Sequence, residues 1–254
     1  MNGTRRLWRW LGLIFVLSFG TLGYLGWQIY LTAPPIAKAV VTADGELVFT
    51  GDQIQRGQQA WMAAGGQQLG TVWGHGSYVA PDWSADWLHR EALALQAIRA
   101  AGQGATPTAA DRASVEATVR DEMRRNTYDE SAGTLTVSRE RAQAIREVAR
   151  HFEGLFGTEP TQDHLRDQYA MTEGALPEKA DREALAAFFF WSAWAAVTDR
   201  PGETGLSYTS NWPPEPLVGN TMSTSAALWS MVSIILLLAG IAAMLWLHKP
   251  DAHE

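Results

Sequence analysis

Two stretches of this chain carry no charged residue and are long enough to cross a bilayer, which limits what the rest can fold into. They run from Leu11 to Leu31 and from Ala226 to Leu247. Roughly 20 helical residues cover the ~30 Å hydrocarbon core. Arg5, Arg6 and Arg9 precede the first stretch, and His248-Lys249 follow the second. Lys and Arg collect on the cytoplasmic side, so both ends are expected in the cytoplasm and the middle across the membrane. Trp8, Trp10, Trp27, Trp229 and Trp246 lie near the expected borders, where amphipathic rings are favoured. A cleaved signal peptide is the competing reading of the first stretch, and Ala37-Lys38-Ala39 has a cleavage-like form. The apolar core exceeds the ~7–15 residues of such peptides, so a retained helix is expected. The expected organisation is a cytoplasmic N-terminus (1–10), a transmembrane helix (11–31), an exported domain (32–225), a second transmembrane helix (226–247) and a cytoplasmic tail (248–254).

The exported region holds 16 basic and 25 acidic residues, a net charge of −9. Such a domain is a poor nucleic-acid binder, because phosphate attraction needs clustered cations. The 254 residues include no cysteine. That excludes disulfides, thiolate zinc, iron–sulfur clusters and thioether-linked haem.

Within the exported region, Val40 to Phe49 reads as a hairpin around Ala43-Asp44-Gly45. Asp52 is expected to cap a short helix to about Ala64, ended by Gly65-Gly66. Ser84 is the expected cap of a helix over 85–101, and Thr108 of one over 109–125. Thr127 to Val137 reads as a second hairpin. Ser138 opens a helix to about Gly157, with Ala142, Ile145, Val148, Ala149, Phe152, Leu155 and Phe156 on one face. A last helix over 181–198 is apolar on nearly every side from Ala184 to Val197, the pattern of a buried or partner-facing element. Pro201, Pro213, Pro214 and Pro216 are expected to keep the chain extended back to the membrane.

The densest segment reads GQQAWMAAGGQQLGTVWGHGSYVAPDWSADWLHRE, from Gly57 to Glu91. His75 and His89 are its candidate metal ligands. No HExxH and no matching third histidine accompany them, so mutual hydrogen bonding of Asp82, Asp86, His89 and Arg90 is the simpler reading. Asp82 and Asp86 flank Trp83, which could raise a carboxyl pKa by desolvation. No nucleophile or phosphate loop stands nearby, and a helix-capping aspartate explains Asp82.

This segment resembles the N-terminal part of quinol-dependent nitric oxide reductases. The matching residues include Gly57-Gln58-Gln59, Gly65-Gly66-Gln67-Gln68, Trp73-Gly74-His75-Gly76 and Ala80-Pro81-Asp82-Trp83-Ser84-Ala85-Asp86-Trp87-Leu88-His89-Arg90-Glu91. Later matches are Phe189-Phe190-Trp191, Trp194-Ala195-Ala196-Val197-Thr198, Arg200-Pro201-Gly202, Tyr208-Thr209, Asn211-Trp212-Pro213 and Pro216-Leu217-Val218-Gly219-Asn220. The resemblance covers nearly the whole chain. Nitric oxide dismutase-like relatives share the pattern.

The resemblance implies a mainly α, cytochrome c-like exported domain without haem. In the cytochrome-dependent reductases a CxxCH motif falls between the tryptophan and the GxGAY-AP segment. Here that motif falls on Gly66-Gln67-Gln68-Leu69-Gly70, with neither cysteine nor histidine. The family's haem b, haem b3 and non-haem iron ligands lie in about a dozen further spans, so electrons would come from quinol through that multi-span partner. The chain is then expected to be a split subunit or a truncated form, non-catalytic by itself, in a bacterial inner membrane as a two-pass protein. The resemblance also implies a calcium at the subunit interface, using Gly76 and Tyr78. The expected contact surface is His75, Asp82, Trp83, Asp86, Trp87, His89, Arg90 and Glu91, since aromatics and arginine are common interface anchors. A membrane-tethered binding or sensor module that keeps the fold without an enzyme is the alternative expectation.

Overall fold

A computed structural model describes residues 2–74, 81–102 and 108–247, with side chains from Thr4 to Trp246. The chain divides into two units, Met1–Pro35 and Ile36–Glu254. The first is essentially one helix, α1 (Asn2–Leu31). The second ends in α8 (Thr224–Leu247). Residues Thr4–Leu31 and Thr224–Trp246 are long and apolar enough to cross a membrane, and none of either span is buried. At 1.5 Å per residue α8 is about 36 Å long, more than the hydrocarbon thickness. These two helices mark a two-pass membrane protein.

Between them along the chain, the second unit forms a mainly helical domain. β1 (Ala39–Thr42) and β2 (Leu47–Thr50) form the expected first hairpin. α2 (Gly51–Ala63) follows, then α3 (Trp83–Ala101), α4 (Ala109–Arg124), β3 (Tyr128–Asp129), β4 (Thr134–Val137), α5 (Arg139–Phe156), α6 (Asp163–Gln168) and α7 (Lys179–Val197). The two hairpins join: β1 pairs parallel with β4, Val40 opposite Leu135, giving one sheet in the order β2-β1-β4-β3.

Helix starts follow local chemistry. Thr108 and Asp111 form a reciprocal capping box on α4, and Ser138 caps α5 through the Arg141 amide. Two expected caps are displaced. Thr50, not Asp52, caps α2: its hydroxyl accepts from Gln53 N while the Gln53 side chain accepts from Thr50 N. Asp52 lies in the first turn, where a negative charge still favours the helix dipole. Asp82, not Ser84, caps α3. Gly65 and Gly66 do stop α2, adopting φ of +119° and +55° that side chains rarely tolerate.

The core is built on α7, against which α2, α3 and α5 pack. All seven residues expected on the inner face of α5 are buried. Every residue of α7 from Ala184 to Val197 is buried except Trp191, which is half-buried. α2 crosses α7 so closely that a Cβ on Gly57 would sit 2.0 Å from Ala184 O and 2.6 Å from Phe188 Cβ. Only a glycine lets the two backbones meet there.

The proline-rich return to the membrane is not extended. It folds through bridges Asp199–Ser207 and Glu215–Asn220 and a 3-10 turn at Pro216–Val218, with Ser210 and Asn211 at positive φ. Prolines fix φ at their own position and bias the residue before them toward extended backbone, so the left-handed turn falls just upstream of Trp212 and Pro213, at Ser210 and Asn211. Arg124 at the end of α4 holds this strap. Its guanidinium donates to Asp199 Oδ1 at 2.8 Å and contacts Asn211 Oδ1 and Gly219 O.

Candidate functional site

Asp82 organises the motif-rich segment. Its Oδ1 accepts from Ala85 N at 3.1 Å, capping α3. Its Oδ2 accepts from Thr71 Oγ1 at 2.9 Å and from Gly74 N at 2.7 Å. One carboxylate therefore starts the helix and shapes the loop before it. Trp73 takes φ +56° in that loop. Its indole N–H donates to Ser192 O of α7 at 2.8 Å, and its ring lies 5.3 Å from Trp191. Ser84 accepts from Trp73 N and bonds the Ser192 hydroxyl at 3.2 Å. Trp212, from the strap, donates to Gly74 O at 3.2 Å. The Trp73–Gly74 end of the loop is thus tied to α3, α7 and the strap. His75, Gly76 and Tyr78, including the expected calcium residues, lie outside the described residues.

The expected contact tryptophans are placed elsewhere. Trp83, Trp87 and Glu91 are 0% exposed. Trp83 stacks on Phe189 at 5.7 Å and meets Phe152, Phe156 and Tyr169 edge-on. Trp87 stacks on Phe152 at 5.3 Å. Its indole N–H donates to Glu91 Oε2 at 2.8 Å, while Glu91 Oε1 accepts from Arg141 Nε at 2.7 Å. These three residues belong to the chain's own core and present no surface to a partner. Sequence reasoning credited them to a contact because the residue types that anchor interfaces also fill interiors.

Asp82 is also buried, whereas Asp86, His89 and Arg90 of the expected contact keep some exposure. His89 has 51% of its side chain exposed and pairs through Nδ1 with Glu215 Oε2 at 3.0 Å. Glu215 Oε1 in turn accepts from Leu217 N. α3 is thereby linked to the turn that leads into α8. Asp86 and Arg90 form an i,i+4 pair at 2.9 Å. That pair faces His151 of α5 and Tyr169.

Desolvation, helped by the positive charge of Arg90 and opposed by Asp86, lowers the pKa of His151 to about 4. The imidazole is neutral at pH 7, with Nε2 buried and unpaired among the described residues. Because the folded pKa lies below the unfolded value of ~6.5, the unfolded chain binds the extra proton first on acidification. The stability His151 contributes is complete above pH ~6.5 and is lost as pH falls toward 4. Partial exposure limits that loss to about 1–2 kcal/mol. A His151→Gln variant is expected to flatten the melting-temperature profile between pH 6.5 and 4; an unchanged slope would place the acid sensitivity elsewhere.

The site also shows whether a haem fits. The position that the CxxCH histidine would take is Gly70. A Cβ there would lie 2.4 Å from both Cε2 and Nε1 of Trp83, so the indole fills the space of any side chain at residue 70. Trp61 closes the same corner by donating to Gly70 O at 3.1 Å. A covalently attached haem with a histidine ligand does not fit these residues. Among the described residues no group of three or more His, Cys, Asp or Glu is arranged to hold a metal ion. Trp73, Ser192, Glu215 and Arg141 were not singled out from the sequence for their site roles. Trp73 lay inside a quoted motif, but nothing local marks Arg141 as the partner of a glutamate fifty positions earlier.

Two membrane-length helices, a helical core around a glycine-mediated crossing, and a filled haem position define the class: a membrane-tethered cytochrome c-like domain without haem. The chain belongs to the NorB cytochrome c-like domain family of nitric oxide reductase, whose model matches residues 37–214. No individual curated protein matches it. The family ties the chain to nitric oxide reductase, an oxidoreductase.

Proposed function

We propose that this chain is a non-catalytic part of a membrane nitric oxide reductase that reduces two NO to N2O with quinol electrons. It would cover and brace the multi-span subunit carrying haem b, haem b3 and non-haem iron. The observation that carries the reading is Gly70 beneath the Trp83 indole: the domain retains the family's pattern while its own interior is packed solid with aromatics. Redox chemistry then belongs to the partner. In this reading the domain is periplasmic, in a bacterial inner membrane, with both chain ends cytoplasmic. The calcium assigned by resemblance to Gly76 and Tyr78 stays part of it. The Gly74 end of that segment is held by Asp82 and Trp212.

The contact is reassigned to partly exposed residues along one edge, Trp73, Trp191, Trp212 and His89. Trp73 and Trp191 stand at one end; Trp212 bonds Gly74, and three residues further Glu215 holds His89. The test is gentle solubilisation of the tagged full-length chain, followed by haem absorbance of the co-purified material. Haem-bearing partner is expected with the native chain. Trp73→Ala is expected to cut the haem recovered about tenfold, the usual scale for an aromatic anchor, with the variant's melting temperature showing that the domain is still folded. Undiminished haem on the folded variant would remove the edge from the contact. Absence of any haem-bearing chain in the native preparation would favour the free-standing module.

A further inference from the structure

The first turns of α1 carry three cations that the described part of the chain does not neutralise. Arg5, Arg6 and Arg9 are exposed, and no ion pair among the described residues involves any of them. No Asp or Glu occurs before Asp44, which pairs with Arg139. At 3.6 residues per turn the three arginines fall within about 100° of one another around the helix. Trp8 and Trp10, both exposed, border that face on its two sides.

The length of the helix sets their depth. α1 has 30 residues, about 45 Å at 1.5 Å per residue, against ~30 Å of hydrocarbon. Trp27 and Tyr30 mark its far border, at the level favoured by amphipathic rings. Counting back roughly 20 residues from Tyr30 brings the near border to Trp10. Arg9 then lies at that border, with Arg5 and Arg6 about one turn beyond it on the same continuous helix. Tilting cannot take up the surplus length by drawing the arginines inward, because a charge in hydrocarbon is costly. The layer at their level holds the lipid phosphates.

We propose that this face of α1 binds the headgroup of an anionic phospholipid. Arg5 and Arg9, one turn apart, take the phosphate oxygens, Arg6 adds a third cation, and Trp8 and Trp10 hold the helix at headgroup depth. Arginine forks match phosphate oxygens. A zwitterionic headgroup also offers a phosphate, but it brings an ammonium that the cluster repels, so a lipid of net negative charge is selected. The surface requires only that α1 spans a bilayer, and it involves neither haem nor the partner contact.

The test is native mass spectrometry of the full chain released from mixed micelles holding phosphatidylglycerol and phosphatidylcholine in equal amounts. The native chain is expected to retain phosphatidylglycerol over phosphatidylcholine by about tenfold or more, since each cation near the lipid surface adds roughly fivefold. Arg9→Gln is expected to lower that ratio about fivefold, and Arg5→Gln, Arg6→Gln and Arg9→Gln together to bring it to about one. An unchanged melting temperature of each variant would show that the exported domain is intact. Sodium chloride is expected to weaken retention by screening, and sodium phosphate at equal ionic strength to weaken it no further. Equal retention of the two lipids by the native chain, or a preference that survives the triple substitution, would overturn the proposal. Release by phosphate well beyond that by chloride would do so too, by assigning the arginines to a free anion. Asp251→Asn with Glu254→Gln is expected to leave the ratio unchanged; a large rise would overturn the proposal by showing that these tail carboxylates neutralise the arginines in the native chain.

Discussion

Gly57→Ala is expected to destabilise the domain by about 2 kcal/mol or more, although alanine is the better helix former. The two effects oppose each other, and their sizes decide the outcome. Within α2 the change gains up to about 1 kcal/mol of intrinsic propensity. Across the crossing, the new methyl would lie 2.0 Å from Ala184 O and 2.6 Å from Phe188 Cβ. Neither neighbour is the end of a flexible side chain. Backbone must move, and α7 carries Phe189, Phe190 and Trp194, all essentially without exposure. Overpacking a rigid core costs ~1–3 kcal/mol and occasionally more, because close-packed interiors transmit displacement instead of absorbing it. A 2.0 Å approach to backbone belongs at or above the top of that range, which leaves about 2 kcal/mol after the propensity gain. For a domain of this size the net corresponds to a fall in melting temperature of about 4–8 °C. Gly102→Ala is the control. It sits at the end of α3 at φ −77°, where a Cβ would come no closer than 3.4 Å to Arg99 O. That variant is expected to melt within about 2 °C of the native chain. Equal melting of the two variants would mean that α2 and α7 are not in backbone contact.

What the sequence displayed was local. The caps at Thr108 and Ser138, the inner face of α5 and the all-round apolar α7 each follow from residues within a few turns of one another. The misplaced cap at Ser84 shows where local reasoning stops. Ser84 and Asp82 are both good cap residues. Asp82 wins because its second oxygen also collects Thr71 and Gly74 from the preceding loop, while the Ser84 hydroxyl is engaged by Ser192, 108 positions away. The union of the two hairpins through β1 and β4 was hidden for the same reason. Nothing in either hairpin records which edge the other will take. The family motif gave the class of protein correctly and the depth of its tryptophans wrongly. A twelve-residue run specifies neighbours along the chain, while burial is decided by α5 and α7 arriving from outside it.

Breaking the Glu91–Arg141 pair is the second large effect, and it separates two accounts of the motif. Glu91→Leu is expected to cost about 3–5 kcal/mol, because it strands a guanidinium 3% exposed and takes the acceptor from Trp87 Nε1. Arg141→Met is expected to cost a similar amount by stranding the carboxylate. The double variant replaces both charges with apolar groups of comparable bulk, and a buried pair so replaced often costs little. A double-mutant cycle on thermal or denaturant unfolding is therefore expected to give a coupling of about 5 kcal/mol or more, above the usual range for residues in direct contact, because each single variant strands a buried charge. Partner recovery gives the sharper discrimination. If Glu91 acts through the core, haem that co-purifies tracks the folded fraction: it drops in each single variant and returns in the double. If Glu91 touches the partner, the double variant folds and still loses it. The first pattern is expected, since a side chain with 0% exposure reaches no second protein unless the domain opens. A stable double variant devoid of haem-bearing partner would return Glu91 to the contact and require α3 to rearrange on assembly.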